Sequence, residues 1–223
     1  MVNKKIISKI ENEEIVKKKH NQIAEAAKEL FTRKGYHSTS MREIADASGI
    51  NLSYLYKYIS SKDDILYLFH LYVYEQFSEI YDILKNSETE ISIQQIIHFI
   101  KKFLEKIHFI KKETLTIYTE TRHLQHDSMR SVLSLEASSI RLLENIILKG
   151  VQQGFFKVQN PFFASNVIHF IINIEPQRWW NLKTKYTFSR FVELMIEVIL
   201  DILGVEQEHR IPPHRKKKAA TPL

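Results

Sequence analysis

Residues 39–62, TSMREIADASGINLSYLYKYISSK, leave this chain fewer conformational choices than any other stretch. Ser40 and Glu43 stand at capping-box spacing: the serine hydroxyl can accept from the backbone three residues on, and the glutamate can reach back to the amide of Ser40. A helix is therefore expected to begin at Ser40. It is expected to stop at Ser48-Gly49, because glycine enters the left-handed region that a tight inter-helix turn needs at no steric cost. Asn51 is a strong N-cap for a second short helix. Ile44, Ala45, Ile50 and Leu55 are the residues able to pack these two helices together, and Ala45 is small enough for a close crossing. That leaves Asn51, Ser53, Tyr54, Tyr56 and Lys57 pointing outward. A helix–turn–helix that shows hydroxyls and cations on its second helix reads as a DNA-binding element.

The flanking sequence is helical throughout. From Ile15 to Lys34 the apolar positions Ile23, Ala27, Leu30 and Phe31 keep one face of a 3.6-residue period. Ser61 and Asp64 repeat the capping-box spacing and open what reads as one long helix as far as the polar segment 85–90. Helices are predicted over about 92–110, 113–124 and 127–154. Asn160-Pro161, a cap followed by a first-turn proline, starts another over 161–182, and a last helix runs over about 187–203 to Gly204. Hairpin dipeptides and sustained strict alternation are absent. The expected fold is all-α with about nine helices: a frayed arm over 1–14, a three-helix helix–turn–helix domain over 15–61, a helical ligand-binding and dimerisation domain over 62–204, and a disordered basic tail over 205–223.

Charge sorts with this division. The formal net charge is +6. Residues 1–64 and 205–223 each carry a net +3, and residues 65–204 carry none. The basic excess thus lies where a polyanion would be met. The chain has no cysteine, which removes disulfides, thiolate metal sites and cysteine nucleophiles. With no apolar run of spanning length and no export signal, a cytoplasmic protein without membrane attachment is expected.

The residues Ile23, Ala26-Ala27, Leu30-Phe31, Gly35-Tyr36, Thr39-Ser40, Ile44-Ala45, Ala47, Gly49-Ile50, Leu55-Tyr56, Tyr58, Lys62 and Leu66 resemble, at their spacing, the TetR family of bacterial one-component transcriptional regulators. Asn51, Ser53 and Ile59 depart from the residues most usual there, which touches specificity and packing. The resemblance implies an all-helical homodimer, with an N-terminal DNA-binding domain and a C-terminal domain that holds an inducer. It implies no catalytic residues, metal or cofactor. Carried onto this chain, Thr39 and Ser40 look like phosphate contacts at a helix N-terminus, and Tyr56 and Lys62 like two further phosphate clamps. Arg42 is similar to a base-reading residue able to pair with a guanine edge. Asn51, Leu52, Ser53, Tyr54, Lys57 and Tyr58 complete the set; for Tyr54 and Tyr58 a place in the core is the competing reading.

Beyond residue 62 the resemblance is one of architecture and length. The 161–182 and 187–203 helices are apolar on more than one face, which predicts that each meets both its own domain and a second copy of the chain. An inducer pocket is expected among Phe99, Phe103, Ile107, Tyr118, Leu143, Ile147, Phe170 and Trp179. Arg122, His123, His169, Asn173 and Arg178 are its candidate polar anchors, with Glu175 beside them. This wall suits an apolar or aromatic ligand. Two other readings compete. Glu105-x-x-His108 and Glu120-x-x-His123 have the spacing of di-iron carboxylate bundles, but the two further carboxylates such an enzyme needs are not identifiable. A nonspecific DNA-binding protein is the third class. The expected function is a sequence-specific transcriptional regulator, a repressor released from a palindromic operator by a small-molecule inducer.

Overall fold

The computed structural model describes residues 4–85 and 91–210. Among these the chain is helical throughout, with α-helices α1 Glu13–Lys34, α2 Met41–Ala47, α3 Leu52–Leu55, α4 Lys62–Glu75, α5 Ser78–Lys85, α6 Ile93–Phe109, α7 Lys111–Glu120, α8 His126–Gln152, α9 Pro161–Ile172, α10 Glu175–Leu182, α11 Phe188–Ile202 and α12 Gln207–Arg210. A 3-10 turn, Thr121–His123, follows α7. The all-α expectation holds, and the added elements come from two breaks and one late turn. The helix expected to run on from Ser61 divides at Gln76-Phe77 into α4 and α5. The helix expected over 161–182 ends at Ile172, and Asn173-Ile174 separate it from α10, in whose first turn Pro176 lies. A proline without its own N–H fits a first turn, where that donor would have no intrahelical acceptor.

The chain falls into two compact units that differ from the 15–61 and 62–204 division expected from sequence. The first holds the described residues up to Ser78 together with Ile110–Ala137. The second holds Glu79–Phe109 together with the described residues from Ser138 onward.

In the first unit α4 packs against α1 and α7. Ile23, Ala27, Phe31, Ile65, Leu66 and Phe69 are buried between them. The polar start of α4 is buried as well. Asp64 closes a capping box on Ser61 and also accepts from the amide of Ser60. Asp63 accepts from Ser128 at 2.5 Å and from the amide of Gln125 at 2.7 Å. The Lys4 ammonium lies 2.8 Å from Asp63 and 2.6 Å from Asp64. Burial opposes ionisation of Asp63, but the hydrogen bonds from Lys4, Ser128 and Gln125 outweigh it and hold the carboxyl below its ordinary range. The arm expected to fray is thus pinned, because Lys4 supplies the charge these two buried acids require. Lys9 also donates its amide to the carbonyl of Lys57 at 2.7 Å.

In the second unit α6 packs against α9, α10 and α11, and α11 also packs against α9. Gly150 shows why a glycine stands inside α8: a Cβ there would come within 2.1 Å of the Phe156 ring. Val205 and α12 extend order past Gly204, where a disordered tail was expected. Val205 is buried, and Arg210 donates to its carbonyl and lies 2.7 Å from Asp201. The remainder of the tail, 211–223, lies outside the described residues.

Candidate nucleic-acid interface

The two short helices are built from their caps. Ser40 accepts from the Glu43 amide at 3.2 Å, and Glu43 accepts from both the amide and the hydroxyl of Ser40 at 2.8 Å. Lys34 holds the same carboxylate at 2.5 Å. Hydrogen bonding from Lys34, then from Ser40, lowers the Glu43 carboxyl to about 2, so the box is intact at any physiological pH. Gly49 turns the chain with φ of 64°. Asn51 then caps α3 by accepting from the Tyr54 amide at 2.8 Å. Gln22 of α1 donates to the carbonyl of Ser48, tying this turn to the first helix. Ile44, Ala45, Ile50 and Leu55 are all buried, as their spacing requires.

What this core pushes outward is a polar and cationic surface. Ser40, Arg42, Asn51, Ser53, Tyr54, Tyr56 and Lys57 are exposed, and Leu52 and Lys62 are partly so. The Lys57 ammonium sits 4.9 Å from the Tyr54 ring centre, a cation–π pair that presents both to solvent. Lys62 stands 4.3 Å from the Tyr36 ring centre and donates to the carbonyl of His37 at 3.4 Å. Burial first, and the nearby Lys34 second, draw the Lys62 ammonium below its ordinary value. A phosphate oxygen beside it would favour the charged ammonium.

Two candidates fall away from this surface. Tyr58 is fully buried, its ring edge-on to Tyr54 at 5.2 Å, because the turn after α3 carries it under the helix. Of the two competing readings for Tyr58, the core prevails. Thr39 is 1% exposed, and its hydroxyl donates to the carbonyl of Gly35 at 2.9 Å. Its side chain secures the α1–α2 link and does not offer itself to a phosphate.

Residues 23–67 match the family model described as bacterial regulatory proteins, tetR family, and that span covers the caps, the turn and the buried core just described. Over that span the chain matches the DNA-binding segment of the TetR family. It is 22% identical over 218 residues to the HTH-type transcriptional regulator HbdR of Aromatoleum sp. (strain CIB), a match spanning 92% of this chain and 91% of that one. Among solved structures, the transcriptional regulator FadR from Bacillus subtilis in complex with stearoyl-CoA superposes with a TM-score of 0.69 at 20% identity, covering 82% of this chain and 98% of FadR. AibR in complex with isovaleryl coenzyme A and operator DNA gives 0.68 at 19% identity, covering 84% of this chain and 100% of AibR.

The ligand candidates divide between the two units. In the second unit Phe99, Phe103, Ile107, Leu143 and Ile147 are buried on α6 and α8. His169, Asn173 and Trp179 are partly buried there. Phe170, 61% exposed, and Arg178, also exposed, turn to the surface and are not wall residues. Tyr118, 60% exposed, Arg122 and His123 belong to the first unit, on α7 and the 3-10 turn, so they do not share a unit with the rest. An association that sequence reasoning did not assemble lies in the second unit. Fully buried Glu175 bonds His108 at 2.6 Å, and His108 stacks on Phe188 at 3.9 Å beside Trp179. The other oxygen of Glu175 has no hydrogen-bond partner among the described residues. Phe188 in the last helix and Pro176 after Glu175 were visible signals, but nothing local links them to His108. No helix of the described residues is long and apolar enough to cross a membrane.

Proposed function

We propose that this TetR-family regulator is a cytoplasmic homodimeric repressor, released from a palindromic operator by a small ligand with an acyl or similar apolar body. One observation carries the DNA-binding part: a helix–turn–helix that buries Ile44, Ala45, Ile50 and Leu55 in its own core and leaves Ser40, Arg42, Asn51, Ser53, Tyr54, Tyr56 and Lys57 exposed. Arg42 is the proposed base reader, and Ser40, Tyr56 and Lys62 the phosphate contacts. The dimer is supported by Phe162, Phe163 and Phe170 on α9 and Val198 on α11, which are 62%, 66%, 61% and 47% exposed in the single chain. Large aromatics on packed helices at that exposure favour a second copy as their cover. A dimer would set two α3 helices roughly 34–36 Å apart, one turn of DNA.

The acyl ligand class is favoured by the apolar side chains of α6 and α8 and by the bound acyl-CoA molecules of FadR and AibR. A ligand can shift operator occupancy only through different affinities for the two states of the regulator. Selection from a random duplex pool tests the reading. A palindrome with half-sites one turn apart is expected, bound on the order of 10³-fold or more above random duplex. Stearoyl-CoA or isovaleryl-CoA is then expected to weaken that binding at least about tenfold, a coupling within the usual allosteric range. Binding with no preference among duplexes would contradict the regulator, and a selected site indifferent to both thioesters would contradict the acyl ligand class alone.

A further inference from the structure

Three metal-ligand side chains from separate segments of the first unit converge beside the helix–turn–helix. His37 comes from the link between α1 and α2, Glu120 from the last turn of α7, and His123 from the 3-10 turn. One ligand atom from each lies within 4.8 Å of the other two. His37 Nε2 is 3.1 Å from both ring nitrogens of His123, and a Glu120 oxygen is 3.6 Å from His123 Nε2. Ligand atoms around a tetrahedral zinc, with bonds near 2.0–2.1 Å, lie about 3.4 Å apart, close to the separations of both His37 and Glu120 from His123. Neither DNA reading nor dimerisation uses these residues.

Their surroundings hold them in place. Tyr36 stacks on His123 with the ring planes 15° apart. Arg122 donates from Nε to His123 Nε2 at 3.2 Å. His37 Nε2 faces the same ring edge, 3.1 Å from both of its nitrogens. The Lys62 ammonium holds the carbonyl of His37.

We propose that His37, Glu120 and His123 bind one divalent transition-metal ion of the zinc, cobalt or nickel class. Two imidazole nitrogens and one carboxylate suit these borderline ions, whereas magnesium and calcium require oxygen ligands. The ion would take the His123 lone pair that Arg122 now occupies, and Glu120 would neutralise half of its charge. Three protein ligands leave a position open to solvent. Because His37 precedes the Ser40 cap by three residues, the ion would tie the entry of α2 to the end of α7.

Cobalt(II) titration of the full-length, chelator-treated protein tests this. Saturation at one ion per chain is expected, with a visible d–d band that zinc(II) abolishes and excess magnesium leaves unchanged. His37→Ala, His123→Ala and the isosteric Glu120→Gln should each weaken binding on the order of tenfold or more. The metal-free variants should keep the wild-type circular dichroism spectrum and melting point, His37 being exposed and His123 and Glu120 only partly buried. Should a variant fail to fold, zinc(II) raising the melting point of the wild-type protein but not of Glu120→Gln carries the same distinction. The absence of a stoichiometric band, or equal affinity in folded His37→Ala/His123→Ala, overturns the proposal.

Discussion

The α2–α3 segment and the α9–α11 pair solve opposite surface problems. In α2–α3 the apolar residues Ile44, Ala45, Ile50 and Leu55 are buried, and what remains outside is polar or cationic. On α9 and α11 the core positions Ala164, Ile168, Ile172, Phe191 and Ile199 are equally buried, yet Phe162, Phe163, Phe170 and Val198 stay exposed. Both segments bury one face; the difference lies in the other. A face of hydroxyls, amides and cations is matched to a hydrated polyanion, and a face of aromatics to another protein surface. The contrast assigns the two proposed partners, DNA and a second copy, to two different parts of the chain.

The largest effect is expected from breaking the apolar face. Phe163→Glu/Phe170→Glu should leave each chain folded, since both side chains are exposed, but give a monomer by sedimentation at micromolar concentration. Operator affinity should then fall on the order of 100-fold or more, because the two half-sites lose their linkage. A dimer that persists would dissociate the exposed aromatics from assembly.

A smaller change is expected on the polar face. Lys62→Ala should weaken operator and random duplex alike and lower the slope of log K against log salt by about 0.9 for each Lys62 engaged, about 1.8 for a dimer. An unchanged slope would mean that Lys62 serves only Tyr36 and the His37 carbonyl.

Acid should weaken both units together, through histidines that sequence alone does not distinguish from surface ones. Burial lowers His169 to about 4, and burial, resisted by its bond to the Leu66 carbonyl, also lowers His70. In each case the folded value lies below the unfolded value of about 6.5, so the unfolded chain takes up the proton first. Stability is full above about pH 6.5 and is lost as pH falls toward about 4. The urea midpoint should therefore drop between pH 7 and pH 5, roughly the span in which the unfolded chain protonates. A flat midpoint over that span would contradict the burial of both rings.

The smallest expected effect separates two neighbouring tyrosines. The hydroxyl of Tyr58 is buried without a hydrogen-bond partner among the described residues. Tyr58→Phe should be neutral or stabilise by up to about 1 kcal/mol in urea titration, with operator affinity unchanged. A loss of operator affinity would return Tyr58 to the DNA surface.

What could be read from sequence was local. The Ser40–Glu43 and Ser61–Asp64 boxes and the Asn51 and Asn160 caps lie within three residues of their partners, and all four are formed. The division of α4 from α5 had no such signal, because Gln76-Phe77 contains neither glycine nor proline. Pro176 lies inside the single helix expected over 161–182, and only the packed structure shows that it stands in a new first turn. The site was legible where exposure follows from the core of α2 and α3, as for Arg42 and Lys57. It was not legible where tertiary contacts decide. Tyr58 turns under α3, Thr39 bonds Gly35, Lys4 reaches Asp63 across 59 residues, and His37 meets His123 across 86.

The central claim is that the exposed face of α2–α3 reads DNA sequence, and Arg42 tests it most directly. Fluorescence anisotropy of wild-type protein and Arg42→Ala, on the selected operator and on random duplex at one salt concentration, separates reading from mere attraction. The expected result is a loss of about 1–3 kcal/mol on the operator for each Arg42 engaged, relaxed preference at one base pair of each half-site, and little change on random duplex. Equal losses on both duplexes, or none on either, would contradict the claim.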